Sequence, residues 1–169
     1  MHPNSKLNKM WPVYQKLEEK FKMLYMPERD ITLESLLLYK GRLGWRHESR
    51  SRYVWSIIYI GKGTLFDDKF KDKPMSSQVA MTLMKPLLDK GYCLITDNFY
   101  TSLELAEWLI SHSSDTYGTL RRTRRRIPKE LETKKLKRGE VAAFRKGKVM
   151  VLRWKEKKEV TLLSNVHTN

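Results

Sequence analysis

The feature that most constrains this chain is a five-residue run, Tyr92-Cys93-Leu94-Ile95-Thr96, closed by Asp97 and followed almost at once by a helix start. A short apolar run of this length bounded by turn residues reads as a buried strand. Ser102 or Thr101 is placed to cap a helix through Leu105, Ala106, Leu109 and Ile110. A strand that passes through a polar turn into a capped helix is a βα unit, and such a unit needs a sheet to sit in. Asp97 then stands just past the strand's carboxyl end, where α/β proteins place groups that do chemistry. By position alone it is also a turn residue, because aspartate side chains bond their own backbone two residues on.

The rest of the chain supplies the elements such a sheet requires. Val13, Leu17, Phe21 and Leu24 recur at helical spacing behind Pro12, which suits a first helical turn, so a helix is predicted over 12–24. The nearly continuous apolar run over 31–39 and the β-branched, aromatic run over 53–60 read as strands. Ser76 or Ser77 caps a predicted helix carrying Val79, Met81, Leu83, Met84, Leu87 and Leu88, stopped at Gly91 and kinked by Pro86 near Lys85. A fourth short strand is expected over 117–120.

Beyond Arg121 the pattern changes. Three strand-like runs, 141–145, 148–154 and 159–163, are separated by turns at Gly147 and at 155–158, which predicts an antiparallel meander. The chain is therefore expected to be α/β over residues 1–120 and basic and β-rich over 121–169, with a boundary near 121–128.

Charge follows the same division. The net charge is +15, and residues 121–159 hold 17 Lys or Arg against 5 Glu. Such an excess favours polyanionic partners, nucleic acid or an anionic membrane surface. No apolar run approaches the length of a spanning helix and the first residues do not form a secretory signal, so the expectation is a soluble intracellular protein, nuclear or cytoplasmic. Cys93 is alone and is expected to be a buried small hydrophobe, while His2, His47, His112 and His167 lack ligand spacing, which argues against structural zinc.

The words around Asp97 carry more than its position does. The segment from Tyr92 to Ser102, Tyr-Cys-Leu-Ile-Thr-Asp-Asn-Phe-Tyr-Thr-Ser, closely resembles the one holding the second catalytic aspartate of piggyBac-type transposases. Further landmarks resemble that family in the same order: Lys40-Gly41-Arg42-Leu43, Tyr53-Val54-Trp55, Gly118-Thr119-Leu120-Arg121, Ile127-Pro128, Lys137-Arg138-Gly139-Glu140 and Val160-Thr161-Leu162-Leu163-Ser164. The resemblance runs from about Leu7 to His167. It implies an RNase H-like mixed sheet with helices, in which three aspartates hold divalent metal, normally magnesium, for cleavage and strand transfer at transposon ends.

This chain departs from the family's pattern in ways that bear on activity. Within Ile31-Thr32-Leu33-Glu34-Ser35, which matches the first catalytic motif, the aspartate's position is held by Leu33, and leucine ligates no metal. Glu34 is adjacent, but neighbouring strand side chains point to opposite faces. The third aspartate is expected beyond Asn169, and the family's N-terminal region and zinc-binding C-terminal domain have no counterpart in these residues. Between Arg42 and Tyr53 the family has a longer stretch with another core strand, so the core is expected to be incomplete.

What the resemblance implies of the basic stretch is DNA contact. The candidates are Arg121, Arg122, Arg124, Arg125, Arg126, Lys134, Lys135, Lys137 and Arg138; contact of this kind is sequence-independent and salt-dependent. As a solvated surface or an import signal the same run needs no DNA. Trp154 and Phe144 lie among these charges, either as core residues of their strands or as platforms for exposed bases. The resulting expectation is a transposase-derived polypeptide without its own catalysis, Asp97 being the remnant ligand, and with residual nucleic-acid binding. Two alternatives stand beside it: an active metal-dependent nuclease or transposase completed by another chain or by Glu34, and a domesticated DNA- or protein-binding module.

Overall fold

The computed structural model describes residues 5–24, 29–33, 37–38, 46–47, 57, 64 and 66–166. Helix α1 spans Trp11–Leu24 with Pro12 in its first turn, as the periodicity predicts. Its stripe of Val13, Leu17 and Phe21 is exposed, so the spacing marks an amphipathic helix and not a core contact. Strand β1 is Asp30–Leu33, and two-residue strands β2 (Leu37–Leu38) and β3 (Arg46–His47) pair antiparallel with each other. The strand expected over 53–60 lies outside the described residues apart from Ile57.

Helix α2 spans Met75–Met84 and passes into a 3-10 turn over Lys85–Leu87, so Pro86 ends the α-helical ladder where the sequence predicts. Its start differs from expectation. Pro74 holds the N-cap position, and Ser76 and Ser77 lie buried within the helix. The βα unit follows as predicted: strand β4, Cys93–Thr96, then α3, Leu103–Ser111, whose cap is Ser102, its Oγ accepting from Leu105 N at 3.1 Å. Strand β5 is Asp115–Thr119. A short helix α4, Lys129–Thr133, precedes strands β6 (Val141–Lys146), β7 (Val149–Lys155) and β8 (Glu159–Ser164).

These strands form one six-stranded mixed sheet in the order β1-β4-β5-β8-β7-β6. The first three are parallel, and β8 joins β5 antiparallel through Tyr117–Ser164, Gly118–Leu163 and Thr119–Leu162. The β6–β8 meander thus continues the sheet of the βα units. Asn165 prolongs that junction, its Oδ1 accepting from Thr116 N at 2.5 Å while its own N–H donates to Thr116 O at 3.0 Å.

Helices α2 and α3 cover one face. Leu33, Ala80, Met81, Met84, Leu87, Tyr92, Leu94, Tyr100, Leu105 and Leu109 form the core there. On the meander's side Ala106 of α3 and Leu131 of α4 close over Val149, Val151 and Leu163. Cys93 is buried, and burial pushes its thiol up to about 11, so it acts as a hydrophobe.

Candidate functional site

Asp97 sits on the exposed edge left by the carboxyl end of β4, in the turn before α3. Its Oδ1 accepts hydrogen bonds from Phe99 N at 2.9 Å and Tyr100 N at 3.3 Å, the local pattern an aspartate turn favours. Its carbonyl accepts from Thr101 N at 3.0 Å and Thr101 Oγ1 at 2.6 Å. The turn that presents the carboxylate is therefore bonded to that same carboxylate.

Behind the turn lies a lock that reading the sequence did not single out. Thr101 Oγ1 lies 2.7 Å from Thr96 Oγ1 and 3.3 Å from Thr96 O, both threonines being buried. Gly118, paired with Thr96 across β4 and β5, leaves the space they occupy. A Cβ at Gly118 would overlap the Thr96 carbonyl and come within 2.8 Å of Thr101 Oγ1. Gly118→Ala is accordingly expected to lower stability by about 2 kcal/mol, because backbone must move to admit the methyl. The check is a urea midpoint; an unchanged midpoint would mean that β4 and β5 are not so closely packed here.

Next to this turn, at the end of β1, is Leu33. The parallel register sets Leu33 opposite Thr96, one residue before Asp97. It is 7% exposed and belongs to the core cluster with Leu94 and Tyr100. The two positions that the family resemblance assigns to metal ligands are thus adjoining strand ends, one carrying a carboxylate and the other a buried hydrocarbon. Glu34 lies outside the described residues. Among the described residues no three His, Cys, Asp or Glu side chains converge. Magnesium needs several oxygen ligands, so the described donors at this edge do not fit it.

The cationic run divides into three groups. Arg121 and Arg124 wrap the Asp97 turn: Arg121 Nε donates to Asn98 Oδ1 at 3.3 Å with its guanidinium over the Phe99 ring, and Arg124 Nη2 donates to Asn98 O at 3.3 Å and to Phe99 O. Burial, and then repulsion by Arg121, push Arg124 below the usual guanidinium range against the opposing pull of Asp97. Other members are paired with acids distant in sequence. Arg126 makes a two-pronged pair with Glu107 at 2.7 and 2.8 Å, Arg122 reaches Glu159 at 3.4 Å, Lys134 reaches Glu140 at 3.4 Å and Arg138 reaches Glu156 at 2.8 Å. Arg125, Lys135 and Lys137 are exposed, with no side-chain ion pair among the described residues. Of the two aromatics, Phe144 pairs with Val151 and so shares the helix-covered face, whereas Trp154 points to the opposite one.

Residues 45–169 match the family model described as Transposase IS4. The fold is similar to that of a piggyBac transposase, solved by cryo-electron microscopy as a synaptic complex with hairpin DNA, with a TM-score of 0.74 at 20% identity. The likeness covers 98% of this chain and 38% of that one, so the chain spans well under half of the transposase it resembles. Among the described residues no helix is long and apolar enough to cross a membrane.

Proposed function

The chain belongs to the Transposase IS4 family, and from that premise we propose that it is a transposase-derived polypeptide that does not cleave DNA by itself but retains a nucleic-acid-binding surface. The observation that carries the reading is Leu33, a core leucine at the strand end beside Asp97. Metal-assisted displacement at a phosphodiester needs ions clamped on both the attacking and the leaving oxygen. Among the described residues no cluster of acidic, histidine or cysteine side chains joins Asp97 to form such a clamp, and one of its oxygens already serves its own turn. In this reading Asp97 keeps the task of shaping the turn and has lost that of holding an ion.

The measurement is plasmid nicking by the purified chain with magnesium or manganese. No nicking above a protein-free control is expected. Nicking that vanishes in Asp97→Ala would overturn the proposal in favour of an enzyme completed by another chain.

Binding is placed on the surface running from Arg121 to Arg138. Arg125, Lys135 and Lys137 are open to phosphate, and the exposed pairs of Arg122, Arg126, Lys134 and Arg138 can exchange a carboxylate for a phosphate at little cost, because surface ion pairs contribute little to stability. With about six of these cations on phosphate, affinity for duplex DNA is expected to fall by about three orders of magnitude between about 50 and 200 mM salt. A titration at several salt concentrations reads the slope, and a flat one would remove this surface from consideration.

A further inference from the structure

The face of the sheet opposite α2 and α3 carries a second surface. Alternation along the strands places Tyr117 of β5, Val160 and Leu162 of β8, Met150, Leu152 and Trp154 of β7, and Val141 of β6 on this one side. Trp154 is 43% exposed and Tyr117 39%. Between Tyr117 and the middle of β7 runs an open apolar groove of about 270 Å³, lined by Met150, Leu152 and Leu162. From strand rise and spacing the two aromatic residues lie roughly 16 Å apart.

The charges around this face are cationic in balance on the meander's side, where Glu156, in the same turn as Lys157 and Lys158, is already paired with Arg138 at 2.8 Å. Arg145 lies on the face itself, opposite Met150, and Lys148, Lys157 and Lys158 stand exposed in the turns at the two ends of β7. None of these four makes a salt bridge among the described residues. Acidic groups occur on the far side, where Asp30 and Asp115 share the face beyond Tyr117 and bound the surface there. An open sheet with exposed aromatics, an apolar floor and a cationic rim is suited to unstacked bases with a polyanionic backbone. A duplex, whose bases are stacked inward, offers nothing to Trp154.

We propose that this outer face of β5-β8-β7-β6 binds single-stranded nucleic acid, Trp154 and Tyr117 stacking on bases while Arg145, Lys148, Lys157 and Lys158 follow the backbone. The inference rests on the nucleic-acid-binding reading above but uses a different face, so the two separate experimentally. The test is fluorescence anisotropy of the full chain with a labelled oligothymidylate of about 20 nucleotides and with a duplex of equal length. Trp154→Ala and Tyr117→Ala are each expected to weaken the single strand about tenfold and the duplex less than about twofold. Trp154→Phe should keep most of the affinity and Trp154→Leu should lose it, which distinguishes stacking from simple apolar contact. Circular dichroism of each variant checks that the exposed substitution leaves the fold intact.

If the duplex still binds and single-strand affinity is indifferent to Trp154, this inference fails and the proposed function survives. If neither nucleic acid binds, both fail. Sedimentation showing that the face is covered in a dimer, lost in Trp154→Ala, would also overturn it.

Discussion

Leu33→Asp is expected to destabilise the fold by about 4 kcal/mol at neutral pH, even though aspartate is the residue that the family resemblance places there. The leucine packs with Leu94, Tyr100 and the helix α2 methionines, so the change both empties apolar volume and buries a carboxyl group. Leu33→Ala, which only empties volume, should cost about 2 to 3 kcal/mol. The difference between the two variants depends on pH in a defined direction. Burial and the neighbouring Asp97 raise the folded-state pKa of the introduced carboxyl above its unfolded value of about 3.9. The variant's penalty is therefore smallest below that value, where both states are protonated, and grows as pH rises towards the raised folded pKa. Urea unfolding of both variants at about pH 4 and pH 7 measures it. Equal loss at the two pH values would mean that position 33 faces water and that Leu33 does not mark an abandoned ligand position.

What the sequence made visible was local. Four apolar residues, Thr96, Asp97 and Ser102 lie within one short segment, and strand, turn and capped helix all form as predicted. The meander was legible for the same reason, since its alternation and its turn at Gly147, with φ of +58°, are set by neighbours. Non-local facts were not legible. Nothing in the composition step at Arg121 indicates that β8 would bond to β5 and carry one sheet across it. The basic run reads in sequence as a row of open charges, yet Arg126 and Arg122 are engaged by Glu107 and Glu159, 19 and 37 positions away. Helix α4 was missed because it is five residues long, anchored by the single buried Leu131 behind Pro128. The Thr96–Thr101–Gly118 lock had one signal, a glycine inside a strand, which often marks a close backbone approach.

Arg153→Ala should be the second large loss, about 3 kcal/mol, although alternation alone gives no reason for an arginine to face inward. Arg153 is 1% exposed, between Val151 and the end of α4. Its Nη1 donates to Leu131 O and, at 3.1 Å, to Lys134 O, while Nη2 donates to Glu159 Oε2 at 2.8 Å. The guanidinium thus supplies donors to carbonyls at the end of a short helix, where backbone acceptors lack partners. Removing it leaves Leu131 O buried without that donor and opens a cavity beside α4. The bond from Arg153, more than any other influence, holds the Glu159 carboxyl below its ordinary value of 4.5. A depressed folded-state pKa contributes stability that is complete above the unfolded value and is lost as pH falls through the folded one. Below about pH 4.5 the wild-type chain should therefore lose a component that Arg153→Ala no longer has, and their stability curves should converge on acidification. Thermal melts at neutral pH and stepwise down to about pH 3 follow both curves. Parallel curves would show that Glu159 takes its low pKa from Lys155 and Arg122, leaving Arg153 as a donor to α4 alone.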